Sequence, residues 1–115
     1  MSEKNWIVRI EDILERIQRI NRYVEKMSFS EFTNDLGTQD KIGFNFVVIG
    51  EAARYIPKEI EEEFPQVNWV RMRGMRNRIA HNYNQIDLPI VWATIQEDLP
   101  PITPVLQKIL VKYSK

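Results

Sequence analysis

Ten consecutive residues hold most of the side chains in this sequence that could act on a phosphate-bearing substrate: Gly74-Met75-Arg76-Asn77-Arg78-Ile79-Ala80-His81-Asn82-Tyr83. A histidine titrates near neutral pH and can give or take a proton, whereas an arginine offers a planar fork of donors to phosphate oxygens and never loses its charge. Together they suit cleavage of RNA without a metal. In that reaction the substrate's own 2′-hydroxyl attacks the adjacent phosphorus, which requires a general base, a general acid and a cation for the developing phosphorane charge. Arg76 and His81 are the candidate catalytic pair, with Asn77 and Tyr83 in support and Arg71, Arg73 and Arg78 as candidate RNA-binding cations. His81 is the chain's one histidine, and one imidazole does not easily serve as both base and acid in a single step. A two-fold dimer bringing two copies of His81 and Arg76 into one cleft would supply both.

The same residues also admit a plainer reading. A histidine near the end of a helix stabilises that end through the dipole, and clustered arginines commonly form a solvated face paired with acids. Glu51 then reads as a salt-bridge partner for one of these arginines.

Charge distribution favours an anionic ligand at this block. The chain has 115 residues with 16 Lys+Arg against 16 Asp+Glu, a net charge of zero. That sum hides an asymmetry, because four acids lie between Glu59 and Glu63 and none follows until Asp87. Inside the gap lie Arg71, Arg73, Arg76, Arg78 and His81. With no cysteine there is no disulfide or thiolate chemistry, and one histidine cannot assemble a tetrahedral zinc site within one chain, so neither cofactor nor metal is expected. Apolar runs such as residues 44–50 are too short to span a bilayer, and residues 1–9 lack the hydrophobic block of a signal peptide. These features predict a single cytoplasmic domain over residues 1–115, without a membrane anchor.

The elements that must position the block are helical. Trp6, Ile10, Ile13, Ile17, Ile20, Val24 and Met27 recur at spacings of three and four, the seam of a long amphipathic helix. Ser28 followed by Glu31 fits a capping box for a short helical turn through Phe32. Asn34, Asp35 and Gly37 mark a loop, after which Thr38 can cap a second long helix, stopped by Pro57. The apolar residues of this second helix cover more than one stripe, so it is either the central helix or one that also faces another subunit. Gly50, Ala52 and Ala53 would let a neighbour approach closely. Pro57 and Pro65 bracket a short acidic helix; residues 67–69 begin a fourth, which carries the arginines and frays near residues 82–85. On that helix, at about 100° per residue, Arg76 and Tyr83 share a face, with Asn77 and His81 farther round one polar arc. Asp87 caps a fifth helix bearing Leu88, Val91, Trp92, Ile95 and Leu99, which Pro100 and Pro101 should kink or break. With no sustained alternation of period two, the fold predicted is all-α, a small antiparallel helical bundle. The second and fourth helices are expected at a dimer interface.

The segments Ile49-Gly50-Glu51-Ala52-Ala53, Gly74 through Tyr83, Ile86-Asp87-Leu88-Pro89-Ile90-Val91-Trp92 and Glu97-Asp98-Leu99-Pro100 together resemble HepT-type HEPN proteins over nearly the whole chain. Those are small all-α proteins that dimerise and act as toxins of type VII toxin–antitoxin pairs, encoded with a minimal nucleotidyltransferase antitoxin of the MntA type. The family motif is an Arg, a polar residue, three more residues, His, any residue and Tyr, which Arg76, Asn77, His81 and Tyr83 match position by position. The resemblance implies a metal-independent endoribonuclease with its Arg and His at the dimer cleft and RNA, tRNA included, as substrate. It also implies that the partner transfers AMP to Tyr83 and silences the toxin. A non-catalytic HEPN module that docks a nucleotidyltransferase or a nucleotide is the alternative.

Overall fold

The computed structural model describes residues 5–114, so residues 1–4 of the expected leaderless start and Lys115 of the expected domain lie outside the described residues. Helix α1 (Asn5–Val24) buries the predicted seam from Trp6 to Val24, with Leu14 added. Met27 falls beyond the helix and is half-buried. The capping box forms as expected at α2 (Phe29–Thr33): the Ser28 hydroxyl accepts from the Glu31 N–H at 3.1 Å, and the Glu31 carboxylate accepts from the Ser28 N–H at 2.8 Å.

Helix α3 (Leu36–Ala53) starts earlier than the sequence suggests. Its cap is Asp35 in place of Thr38, and Gly37 lies inside the first turn. The Asp35 carboxylate accepts from the Thr38 N–H at 2.9 Å, satisfying a donor that the helix leaves unpaired while placing negative charge at the positive end of the dipole. Contacts from Arg9 to Tyr55, Arg16 to Asn45 and Tyr23 to Lys41 show α1 and α3 running antiparallel along their length. On the other flank of α3 the chain comes very close at Gly50, where a Cβ would stand 3.4 Å from the Arg73 carbonyl oxygen and 3.5 Å from that of Met72. The small residue expected to admit a neighbour does so, and α3 is the central helix.

The acidic helix α4 (Lys58–Glu63) follows Pro57 as predicted. The expected fourth helix is instead two short ones, α5 (Trp69–Arg73), capped by Asn68, and α6 (Met75–Ile79), divided at Gly74. Beyond them the chain makes a small antiparallel hairpin of β1 (Ala80–Asn82) and β2 (Gln85–Ile86), where the sequence reading has a fraying helix. The asparagines explain the switch, since their side chains hydrogen-bond the local backbone and compete with helix. Asn82 Oδ1 accepts from the Asn84 N–H at 3.1 Å, and Asn82 Nδ2 donates to Gln85 Oε1 at 3.1 Å. At the base of the hairpin the Asp87 N–H donates to the Ile79 carbonyl at 2.6 Å. The helical-face argument relating Tyr83 and His81 to Arg76 is therefore corrected, because both lie beyond the helix.

Asp87 caps α7 (Leu88–Ala93), accepting from the Ile90 N–H at 3.0 Å. Pro100 and Pro101 do not end the helical run. Between α7 and α8 (Leu99–Tyr113) the chain widens into one π-helical turn, Thr94–Asp98, in which the Leu99 N–H reaches back five residues to the Thr94 carbonyl. A proline has no N–H and crowds the carbonyl four residues before it; the wider turn places both prolines in the first turn of α8, where a missing donor costs little. Helix α8 returns along α1, where the Tyr113 ring meets the Trp6 ring edge-on at 5.3 Å. The buried side chains of these helices form one continuous hydrophobic cluster, so the described residues make an all-α bundle with a minor hairpin.

Candidate active site

Helix α6 is little longer than one turn, too short to orient itself through its own hydrogen bonds. Met75 and Ile79 fix it by burying their side chains in the core, each 2% exposed. Arg76 and Asn77 are exposed, and Arg78 is half-buried on the inward side. The hairpin then carries His81, Asn82 and Tyr83 into solvent. Tyr83, at its tip, is 99% exposed.

Between the hairpin, α6 and α3 lies an open groove of about 680 Å³. Arg76, Asn82 and Tyr83 line it on one side and Gln39, Asp40, Gly43 and Phe44 on the other. Successive residues of a strand face opposite ways. Ala80 and Asn82 accordingly face the groove, whereas His81, between them, is exposed but does not line it. One chain thus brings Arg76 and Tyr83 together around a cavity and leaves Asn77 and His81 outside it.

The arginines divide sharply by partner. Arg73 is paired with Glu61, while Arg71 and Arg78 converge on Asp98, with N···O distances of 3.7 and 3.6 Å to the same carboxylate oxygen. Among the described residues Arg76 makes no ion pair or hydrogen bond, so its guanidinium faces the groove with its charge uncompensated. The paired-surface reading therefore holds for three of these four arginines and fails for Arg76. Glu51, expected to serve one of them, instead faces Arg54 at 3.8 Å. Among the described residues no cluster of three metal-ligating side chains occurs.

Sequence reasoning missed Asp40, Gln39 and Asn82 as groove residues and gave Asp98 no role. The groove residues of α3 stand far from the motif in sequence and meet it only in the fold, through the close approaches of Gly50 to α5 and of Gly43 to Ile86. For Asp98 the signal is the Glu97-Asp98-Leu99-Pro100 segment itself.

Comparison with known proteins gives a consistent result. A family model described as "Ribonuclease HepT-like" matches residues 13–109. The chain is 33% identical over 102 residues to "Putative RNase MJ1380" of Methanocaldococcus jannaschii, covering 89% of this chain and 94% of that protein. It is 31% identical over 108 residues to "Probable ribonuclease HepT" of Thermococcus cleftensis, covering 94% and 96%. With "Putative RNase TTE0752" of Caldanaerobacter subterraneus it shares 30% identity over 103 residues, 90% of this chain and 92% of that one. No solved structure matches. No helix among the described residues is long and apolar enough to cross a membrane.

Proposed function

Since the chain belongs to the Ribonuclease HepT-like family, we propose that it is a metal-independent endoribonuclease, the toxin of a type VII toxin–antitoxin pair. The observation that carries this reading is the uncompensated Arg76 on the wall of an open groove, beside three arginines already neutralised by acids. An unpaired guanidinium is available to a phosphate, whereas Arg71, Arg73 and Arg78 add to RNA affinity mainly through the local field.

The active species is a two-fold dimer. His81 stands outside the groove that Arg76 lines, so the composite cleft takes Arg76 and His81 from both copies. Support comes from α3, where Leu36 and Phe44, both lining the groove, remain 73% and 61% exposed and leave an apolar surface there. In that cleft one His81 accepts the 2′-hydroxyl proton as its oxygen attacks phosphorus, the other donates a proton to the departing 5′-oxygen, and Arg76 stabilises the phosphorane. Asn77 supports the pair from the solvent side of α6. The substrate is RNA, tRNA included.

Regulation uses Tyr83. A cognate MntA-type nucleotidyltransferase directs the Tyr83 oxygen onto the α-phosphorus of ATP; pyrophosphate leaves, and the phenolic proton passes to a base of the partner. The attached phosphate then meets Arg76, and the adenosine fills the groove.

The deciding experiment is incubation of the purified, unmodified protein with total RNA in chelator. Parent protein cleaves, and His81→Ala and Arg76→Ala each lose about 10²-fold or more while keeping their helical spectrum. Full activity in either variant, or cleavage that needs added magnesium, overturns the mechanism. RNA binding without any cleavage would install the non-catalytic docking module in its place.

A further inference from the structure

Asp98 has two guanidinium partners that belong to different helices. Arg71 lies on α5 and Arg78 on α6, one on each side of the break at Gly74, and both point at the same carboxylate oxygen. The carboxylate is about a third exposed, and the Arg78 side chain is about as open, yet Arg78 Nε is buried with no hydrogen-bond partner. Arg78 is therefore a partly desolvated cation whose one ion-pair partner among the described residues is Asp98, and such a cation depends on its partner for its position.

The π-helical turn is what makes the meeting possible. On a regular helix through Val91, Thr94 and Ile95, all buried, the next position of the apolar stripe would fall at 98. The wider turn passes that buried place to Leu99, 1% exposed, and leaves Asp98 at the boundary, facing the arginines. The same Pro100 and Pro101 that widen the turn thus set the carboxylate's direction. Turns of this kind are frequent at functional sites.

Arg76 and Arg78 are two residues apart, about 200° round the helix. Holding Arg78 from inside consequently aims Arg76 outward at the groove. We propose that Asp98 is a positioning residue for the cleavage reaction: through Arg71 and Arg78 it locks α5 and α6 together, and with them the direction of Arg76 and the root of the hairpin that carries His81. This inference rests on the ribonuclease reading for its kinetic consequence, but the clamp itself can be tested without it.

The experiment uses the dimeric protein with Asp98→Asn, Asp98→Glu and, as a charge control at an exposed neighbour, Glu97→Gln. Small displacements of a catalytic group cost large factors, so Asp98→Asn should lower kcat about ten- to a hundredfold with KM within about twofold. Asp98→Glu should recover much of the loss, and Glu97→Gln should match the parent. In parallel, hydrogen exchange of the Arg78 and Asp87 amides, bonded to the Gly74 and Ile79 carbonyls, should quicken in Asp98→Asn while α1 amides keep their protection. A loss confined to KM, or no recovery with Glu, would make Asp98 a contributor to RNA affinity or global stability and overturn the assignment. Unchanged exchange at Arg78 and Asp87 would also overturn it. Should the parent leave RNA uncut, the ribonuclease reading falls while the exchange measurements still decide whether the clamp exists.

Discussion

Among the described residues Tyr83 makes no side-chain hydrogen bond or ring contact, and a phenol 99% exposed at a hairpin tip gives another enzyme's active site room to close around it. Tyr83→Phe removes only the acceptor oxygen, so it should resist AMP transfer and remain toxic beside an active antitoxin, with intact mass as the readout. A Phe variant silenced as fully as the parent would sink that role. The arginines make a second contrast at this scale. Arg76→Ala should leave the melting temperature unchanged, since an exposed, unpaired side chain away from the core contributes within about 0.5 kcal/mol. Arg73→Ala strips Glu61 of its partner and should destabilise by about 1 kcal/mol or less, because the guanidinium is still a third exposed. Thermal melts of the two variants beside their cleavage rates separate the free cation from the paired one. The motif residues were legible in sequence as types, but their state of pairing was not, since Glu61 lies 12 residues from Arg73, and Asp98 lies 20 from Arg78 and 27 from Arg71.

At the scale of elements, Gly50 sets how near α5 and α6 can come to α3. Alanine there just fits, at 3.4 Å from the Arg73 carbonyl oxygen, and removes glycine's helix penalty of roughly 0.5–1 kcal/mol, so Gly50→Ala should be neutral or slightly stabilising. Gly50→Val adds methyl groups where carbonyls already touch and should cost about 1–3 kcal/mol in urea unfolding. It should also widen the groove and slow cleavage. Helices with strong end signals were readable: the Ser28 and Asp87 caps stand where the sequence places them, and Pro57 opens α4, although α3 ends at Ala53, short of the expected stop at Pro57. What escaped was the chain from Gly74 to Ile86. Strands of three and two residues are too short to show alternation, and the turn is built by asparagine side chains whose competition with helix depends on the Asp87–Ile79 closure. The π-helical turn escaped too, because two prolines predict a break whenever the ends are free to separate; here α7 and α8 are both pinned by core residues.

Across the whole molecule, the described residues extend 43 × 28 × 23 Å, and Leu36 and Phe44 of α3 leave an exposed apolar patch at the groove. Phe44→Glu should therefore shift light scattering from dimer to monomer and abolish cleavage together; a fully active monomer would refute the composite cleft. Global stability carries its own pH signature. Hydrogen bonds from Lys112 and then Tyr113 lower the Glu63 carboxyl below its ordinary range, and the Thr38 backbone N–H does the same for Asp35. Groups so depressed contribute stability above the ordinary carboxylate pKa and lose it as pH falls through the lowered values. Bonding to Glu63 raises both Lys112 and Tyr113, whose contribution is full below their ordinary values near 10 and is lost as pH climbs through the raised ones. Urea midpoints should thus form a plateau with an acid and an alkaline shoulder, and Glu63→Gln should shrink both. The packing of α8 along α1, sealed by the Trp6 and Tyr113 rings, also bears on how the protein is made. Helix α1 is closed on that side by an element distant in sequence, so the described bundle can complete its core only once α8 has packed, and a truncation that removes α8 should leave α1 unprotected in hydrogen exchange.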